Sequence, residues 1–293
     1  MSYLDHIHRC NDHQPSHFRP FQIAGRRVGW IRAETTLMLA AFPGVFSVED
    51  DRVSLRDQLA TPAERGEAVR DVIARLAAAH PEIPEPRGED YPVVTNFGEP
   101  PLMLLDRAMV PLFGVRAFGL HVNGFVRRPE GLMMWIGRRA RDKRVAAGKL
   151  DNVVAGGQPA GLSLAENLIK EAGEEASIPP ELAMRAVPVG AVSYCMENGL
   201  GMKPDTQFCY DLELPEDFQP KNVDGEMEEF MLWPIDAVAR VVRDTDEFKF
   251  NVNLVIIDFL IRHGHLDPDR EPDYLAIVRG LHGRTGETRE PIG

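Results

Sequence analysis

The sequence predicts an α/β protein of the α+β type, a sandwich with a smaller α+β domain in front of it. Three observations carry this. Apolar strand-like runs stand on both sides of one amphipathic helix in the second half of the chain. The residue pattern changes near Ala117, after a proline-rich connecting stretch. At 293 residues, with 44% hydrophobic and 27% charged residues, the chain is long enough for two ordinary domains and too apolar for global disorder. The boundary is placed between residues 1–115 and 116–293.

Residues 1–15 are rich in His and polar residues and read as a surface or disordered segment. Phe21–Ile23 and Val28–Ile31 flank a Gly25 turn, the pattern of a hairpin. Thr61-Pro-Ala-Glu64 is a helix start with cap, Pro and capping-box acid. Val69, Val72, Ile73 and Leu76 then form one buried stripe. Residues 81–100 hold five prolines and several acids and read as a connection.

In the second half, Phe118–Val126 and Leu132–Ile136 are strands joined by a Pro/Gly turn, followed by the basic run Arg138–Arg144. A helix is expected from about Leu164 to Ala176. Strands follow at Val189–Tyr194, Thr206–Leu212 and Phe230–Trp233, and helices at Asp236–Arg243 and Asn253–His263.

Composition narrows the function. The 33 Lys and Arg against 45 Asp and Glu leave a net charge of −12, which repels a phosphate backbone, so no nucleic-acid partner is expected. No apolar run reaches 18 residues, so no membrane span is expected. Cys10, Cys195 and Cys209 are too few and scattered for a disulfide framework or a CxxC zinc site, which points to a reducing, cytoplasmic setting. His6, His8, Cys10, His13 and His17 match no zinc spacing. There is no GxSxG elbow and no P-loop.

One segment carries chemistry: Gly156-Gly-Gln-Pro-Ala-Gly-Leu-Ser, then the helix with Glu171, Glu174 and Glu175 at i, i+3 and i+4. Those three carboxylates project from one face, and each like-charge pair costs an isolated helix about 0.2–0.5 kcal/mol. A hard divalent cation turns that repulsion into ligation. Glycines ahead of the helix let the backbone approach a metal or phosphate closely.

The segment resembles the Nudix box: Gly, five residues, Glu, seven residues, then Arg-Glu-aliphatic-any-Glu-Glu-any-Gly-aliphatic. Gly156 falls on the box Gly, Glu171, Glu174 and Glu175 on the metal-ligand acids, and Ile178 on the last aliphatic residue. Leu162 stands where the box has its first Glu, Lys170 where it has Arg, Ala172 at an aliphatic place and Ser177 at a Gly. The missing Glu and Arg normally support the loop and orient the carboxylates. Further stretches, Phe118-Gly-Leu-His-Val-Asn-Gly, Gly148-Lys-Leu-Asp-Asn-Val-Val, Glu166-Asn-Leu-Ile-Lys-Glu and Tyr210-Asp-Leu-Glu-Leu-Pro215, resemble the Nudix subgroup that includes fusions to thiamin pyrophosphokinase.

That resemblance implies a Nudix α/β/α sandwich and Mg²⁺-dependent cleavage of a diphosphate to a monophosphate, with Mn²⁺ as a substitute ion. The implied substrates are thiamin diphosphate or its damaged oxy and oxo forms. Glu171, Glu174, Glu175 and the Gly156 carbonyl are the implied metal ligands. Catalysis falls to the same acids plus one on a later loop, Glu228 or Glu226. Lys149, Gly157 and Arg138 are placed against the substrate phosphate, and Tyr194, Phe208 or Trp135 offer an aromatic face to its ring. A homodimer is compatible with the resemblance. Three other readings stay open: a hydrolase of ADP-ribose or dinucleotides, an isomerase of the isopentenyl diphosphate kind using Cys195 or Cys209, and a non-catalytic sensor.

Overall fold

The computed structural model describes residues 1–283; the C-terminal part of the expected second domain, 284–293, lies outside the described residues. Element α1 (Tyr3–Cys10) opens the chain. A four-stranded sheet follows, built from β1 (Phe18–Ile23), β2 (Arg26–Arg32), β3 (Phe46–Val48) and β4 (Val53–Leu55) in the order β2-β1-β4-β3, with α2 (Ala33–Leu39) between β2 and β3. Helix α3 (Pro62–Ala79), the pair β5 (Asp90–Val93) and β6 (Met103–Asp106), and the short α4 (Val110–Phe113) complete this unit. Its core gathers Phe21, Ile31, Leu39, Val69, Ile73, Tyr91, Met103 and Phe113.

The expected hairpin and the capped helix are both present. Thr61 Oγ1 accepts from Glu64 N at 3.2 Å, and Glu64 Oε2 accepts from Thr61 N at 2.8 Å. The proline stretch holds β5, which the sequence did not announce. It is one half of a two-stranded sheet, where an edge tolerates Pro92.

The second unit is a seven-stranded sheet. Its strands are β7 (Phe118–Arg128), β8 (Gly131–Arg139), β9 (Leu150–Asp151), β10 (Val154–Gly157), β11 (Val187–Glu197), β12 (Met202–Glu213) and β13 (Met227–Pro234). Central β7 runs parallel to β12 and antiparallel to β8 and β10. Its residues Phe118–Val126 are all buried, which explains their nearly unbroken apolar run.

Helices cover both faces. Leu168, Ala172 and Ala176 of α5 (Leu164–Ala176), with Leu182 and Ala183 of α6 (Pro180–Ala183), pack on Leu120, Val122, Val154 and Leu212. The other face carries α7 (Ile235–Asp244), α8 (Phe250–Arg262) and α9 (Tyr274–Leu281), packed on Met134, Ile136, Val192 and Cys209. The result is the expected α/β/α sandwich.

Helix α1 corrects the reading of the N-terminus as disordered. Tyr3, Ile7 and Cys10, at i, i+4 and i+7, bury against α8 and α9, and His6 Nε2 lies 2.7 Å from Val242 O. A Ser2/Asp5 capping box fixes its start. Among the described residues no helix is long and apolar enough to cross a membrane.

Candidate active site

The loop between β10 and α5 is set by register. Gly156 pairs with Leu120 and Gly157 with Gly119, so the glycines sit at the end of the central sheet. Ser163 caps α5 through a reciprocal box with Glu166. Between them, Asn167 Nδ2 donates to Gly157 O at 2.8 Å and to Gln158 Oε1 at 3.2 Å, while Gln158 Nε2 donates to Leu162 O at 2.6 Å. Asn167 and Gln158 thus do the loop-holding that the sequence assigned to the missing box Glu. Ser177, at the box Gly, takes the left-handed conformation (φ +53°) that ends the helix, and its Oγ donates to Lys221 O at 2.7 Å.

Glycine at 156 is a steric requirement. A Cβ there would lie 2.5 Å from Glu171 Cγ and Cδ. The helix thereby lays the Glu171 carboxylate against the Gly156 backbone. Glu175 is 2% exposed, and its Oε2 accepts from Ala155 N at 2.7 Å. Burial raises its pKa well above the ordinary carboxylate value, against the Ala155 bond, and the charges of Asp151, Glu171 and Glu226 add to the rise. Burial raises Glu171 as well; Lys170 opposes the rise, and Glu174 and Glu226 reinforce it.

Lys170 takes part directly. Its Nζ lies 3.1 Å from Glu171 Oε1 and 2.8 Å from Glu174 Oε2. Burial lowers its pKa, but the two carboxylates outweigh that and hold it above the usual lysine value. An ammonium therefore stands between two of the three acids as a stand-in for a cation. Among the described residues no three His, Cys, Asp or Glu side chains converge as a ready-made metal cage; the third acid is tied to Ala155.

The structure thus brings Gly156, Gly157, Glu171, Glu174 and Glu175 together. Lys149, Arg138, Glu228 and Glu226 each have a local ion-pair partner. Lys149 Nζ donates to Asp246 O and lies 3.7 Å from Asp246 Oδ2. Arg138 donates to Glu229 Oε1 at 2.8 Å and to Gly148 O at 3.2 Å. Glu228 accepts from Arg141 N at 3.2 Å and lies 3.7 Å from Arg141 Nε. Of the two later acids, Glu226 is the one whose charge reaches Glu171 and Glu175, with Lys143 Nζ 2.5 Å from its Oε1.

Arg139, inside the basic run, is buried on Asp151 at 2.8 Å. Asp151 opens a polar chain behind the site. His121 Nδ1 donates to Asn152 Oδ1 at 2.9 Å, Asn152 Nδ2 to Asn123 Oδ1 at 2.9 Å, and Asn123 Nδ2 to Asp211 Oδ1 at 3.1 Å. Arg262 closes the chain by donating to both Asp211 oxygens, at 2.6 and 3.0 Å. These bonds satisfy the polar residues of buried β7. Cys195 and Cys209 are buried, and burial pushes the Cys209 thiol up to about 12, which disfavours the thiol chemistry an isomerase needs.

The first unit reaches the same loop, which the sequence did not reveal. Tyr91 Oη stands 1.7 Å from where a Cβ of Gly157 would be, and Ala160 N donates to Asp90 O at 2.8 Å. Phe97, 46% exposed, packs edge-on to Phe118 (5.0 Å between centroids) and tilted against Phe208 (4.6 Å). Tyr194 and Trp135, by contrast, are buried in the core.

Residues 2–117 match a family described only as a domain of unknown function, DUF4743. Over almost the whole chain there are named relatives. Nudix hydrolase 20, chloroplastic, of Arabidopsis thaliana is 42% identical, covering 96% of this chain and 78% of the relative. Nudix hydrolase 24, chloroplastic, of the same plant is 43% identical, covering 95% and 77%. Among solved structures, the Nudix domain of Shewanella oneidensis NrtR, crystallised with ADP ribose, is 13% identical with a TM-score of 0.40, over 52% of this chain and 90% of that one.

Proposed function

Because this chain belongs to the Nudix hydrolases, we propose that it is a Mg²⁺-dependent pyrophosphohydrolase that cuts a small-molecule diphosphate to a monophosphate and phosphate, with thiamin diphosphate or its oxy and oxo derivatives as substrates. The observation that carries the reading is the carboxylate turn of α5 laid against the Gly156 backbone, with an ammonium already bridging Glu171 and Glu174.

The donors are oxygen atoms, the class that Mg²⁺ and Mn²⁺ prefer. Glu171, Glu174 and the Gly156 carbonyl are the residues to hold such an ion, and Lys170 would swing out to admit it. A bound Mg²⁺ supplies charge neutralisation on phosphoryl oxygens and a more acidic water. The remaining work belongs to the chain. Glu175, buried and raised in proton affinity, is suited to take a proton from the attacking water. Its bond from Ala155 N fixes the carboxyl in place. Burial is the main cause of the raised proton affinity of both Glu171 and Glu175, and the charge of Glu226 adds to it. Phe97 and Phe208 offer a half-exposed aromatic face to a flat ring.

The choice of thiamin derivatives rests on the subgroup resemblance of the sequence. The test is a panel of thiamin diphosphate, its oxy and oxo forms, ADP-ribose and a dinucleotide, each incubated with Mg²⁺ and assayed for organic product and orthophosphate. Thiamin-type monophosphate plus orthophosphate is the expected result. Release of AMP would move the substrate to nucleoside diphosphate derivatives. Absence of turnover across the panel would leave a sensor and overturn the reading.

A further inference from the structure

We infer that the first unit supplies a substrate-binding cation to the catalytic loop: Arg107 engages the diphosphate, and Tyr91 positions both Arg107 and the Gly156–Gly157 backbone. The inference rests on the diphosphate reading above and adds a residue from outside the Nudix box.

Tyr91 lies on β5, buried in the core of the first unit, with the hydroxyl end of its ring reaching the second. That hydroxyl occupies the space a Gly157 side chain would take, so it touches the loop next to the residue that abuts Glu171. The bond from Ala160 N to Asp90 O locks β5 to the far end of the same loop. Arg107 follows β6. Its backbone N donates to Glu89 O at 2.9 Å, which ties it to the start of β5. Its guanidinium lies 5.6 Å from the Tyr91 ring centroid, and Nη1 donates to Glu89 Oε2 at 2.5 Å.

The side chain of Arg107 is 39% exposed, so its planar fork faces solvent as well as Glu89. The charge of Glu171 reaches both Arg107 and Tyr91. A cation held on the face of the ring that touches the glycine loop, and open to water, suits an anionic oxygen of a diphosphate. A diphosphate seated on the carboxylate turn and extending along the glycine loop comes to the flank that Tyr91 and Arg107 form.

The test uses the full chain carrying Arg107→Ala, Arg107→Lys or Tyr91→Phe. Two quantities are read: steady-state kinetics on the diphosphate that the wild type hydrolyses, and calorimetric binding of inorganic pyrophosphate with Mg²⁺. Arg107→Ala is expected to raise KM about 10- to 100-fold, with kcat within about threefold, and to weaken pyrophosphate by the same factor. Arg107→Lys, which keeps the charge and loses the fork, should fall between. Tyr91→Phe keeps the ring and loses the contact with Gly157, so its loss should appear in kcat. A merely structural Arg107 would lower the melting temperature and leave pyrophosphate affinity alone. Wild-type KM and pyrophosphate affinity, to within twofold, in both Arg107 variants would overturn the inference. If Arg107→Ala does not fold, Arg107→Lys decides alone, with a several-fold loss expected. Failure of the wild type to hydrolyse any diphosphate sinks the functional reading separately, and the calorimetry then judges Arg107.

Discussion

Replacing Gly156 by Ala places a methyl 2.5 Å from Glu171 Cγ and Cδ and 2.9 Å from its Oε2. Carbon atoms settle at about 3.5–4.0 Å, so the end of Glu171 must retreat by roughly 1 Å. Gly156 is outside the set of left-handed glycines, so alanine brings no backbone strain. The obstructing atoms belong to a flexible side chain, and the change also removes about 0.4–1 kcal/mol of chain entropy from the unfolded state. Stability should therefore move by less than about 1 kcal/mol. Activity should not be spared, because a displacement near 1 Å at a catalytic group costs about 100-fold. The assay pairs kcat/KM on the hydrolysed diphosphate with a thermal melt. Turnover within about threefold of wild type would refute the claim that Glu171 works from its position against Gly156. A large fall in melting temperature would refute the claim that the contact is soft.

Other outcomes follow from the same geometry. Glu175→Gln removes a buried carboxyl group whose burial disfavours ionisation, so it should melt at or above the wild-type temperature at pH 7 while losing at least about 100-fold in kcat; retained activity would clear Glu175 of the proton step. Glu226→Gln should slow turnover about tenfold or more, whereas Glu228→Gln, facing Arg141, should stay within about twofold; the reverse order in steady-state rates would restore Glu228 to the site. Burial, with the nearby Lys249 charge, lowers His121 to about 4, so the folded state resists a proton that the unfolded chain accepts below about pH 6.5. Stability is then lost as pH falls through that window, by about 2 kcal/mol between pH 7 and pH 5. His121→Asn should flatten this slope in urea titrations, and an unchanged slope would contradict it.

The carboxylate turn was legible because its information is local. The spacing of Glu171, Glu174 and Glu175 and the glycines ahead of them decide the geometry within twenty residues. Helix α3 was equally plain, since cap, Pro and apolar stripe agree. Helix α1 carries a similar signal in Ser2, Asp5, Tyr3, Ile7 and Cys10, but its eight residues also hold two His and an Arg that obscure it. The direction of a cation is another matter. Residue type makes Lys149 and Arg138 suitable for a phosphate, yet strand pairing of β8 with β13 hands Arg138 to Glu229. Tyr91 meets the loop only through packing between segments more than 45 residues apart in sequence, and no local pattern records that contact.

The central claim is that the carboxylate turn and the Gly156 carbonyl gather a divalent ion for phosphoanhydride cleavage. Anomalous diffraction from a crystal soaked in Mn²⁺ tests it most directly. The account predicts a strong peak bounded by Glu171, Glu174 and Gly156 O, with Lys170 displaced from between the acids. A map with no peak there, and Lys170 still bridging Glu171 and Glu174, would contradict it.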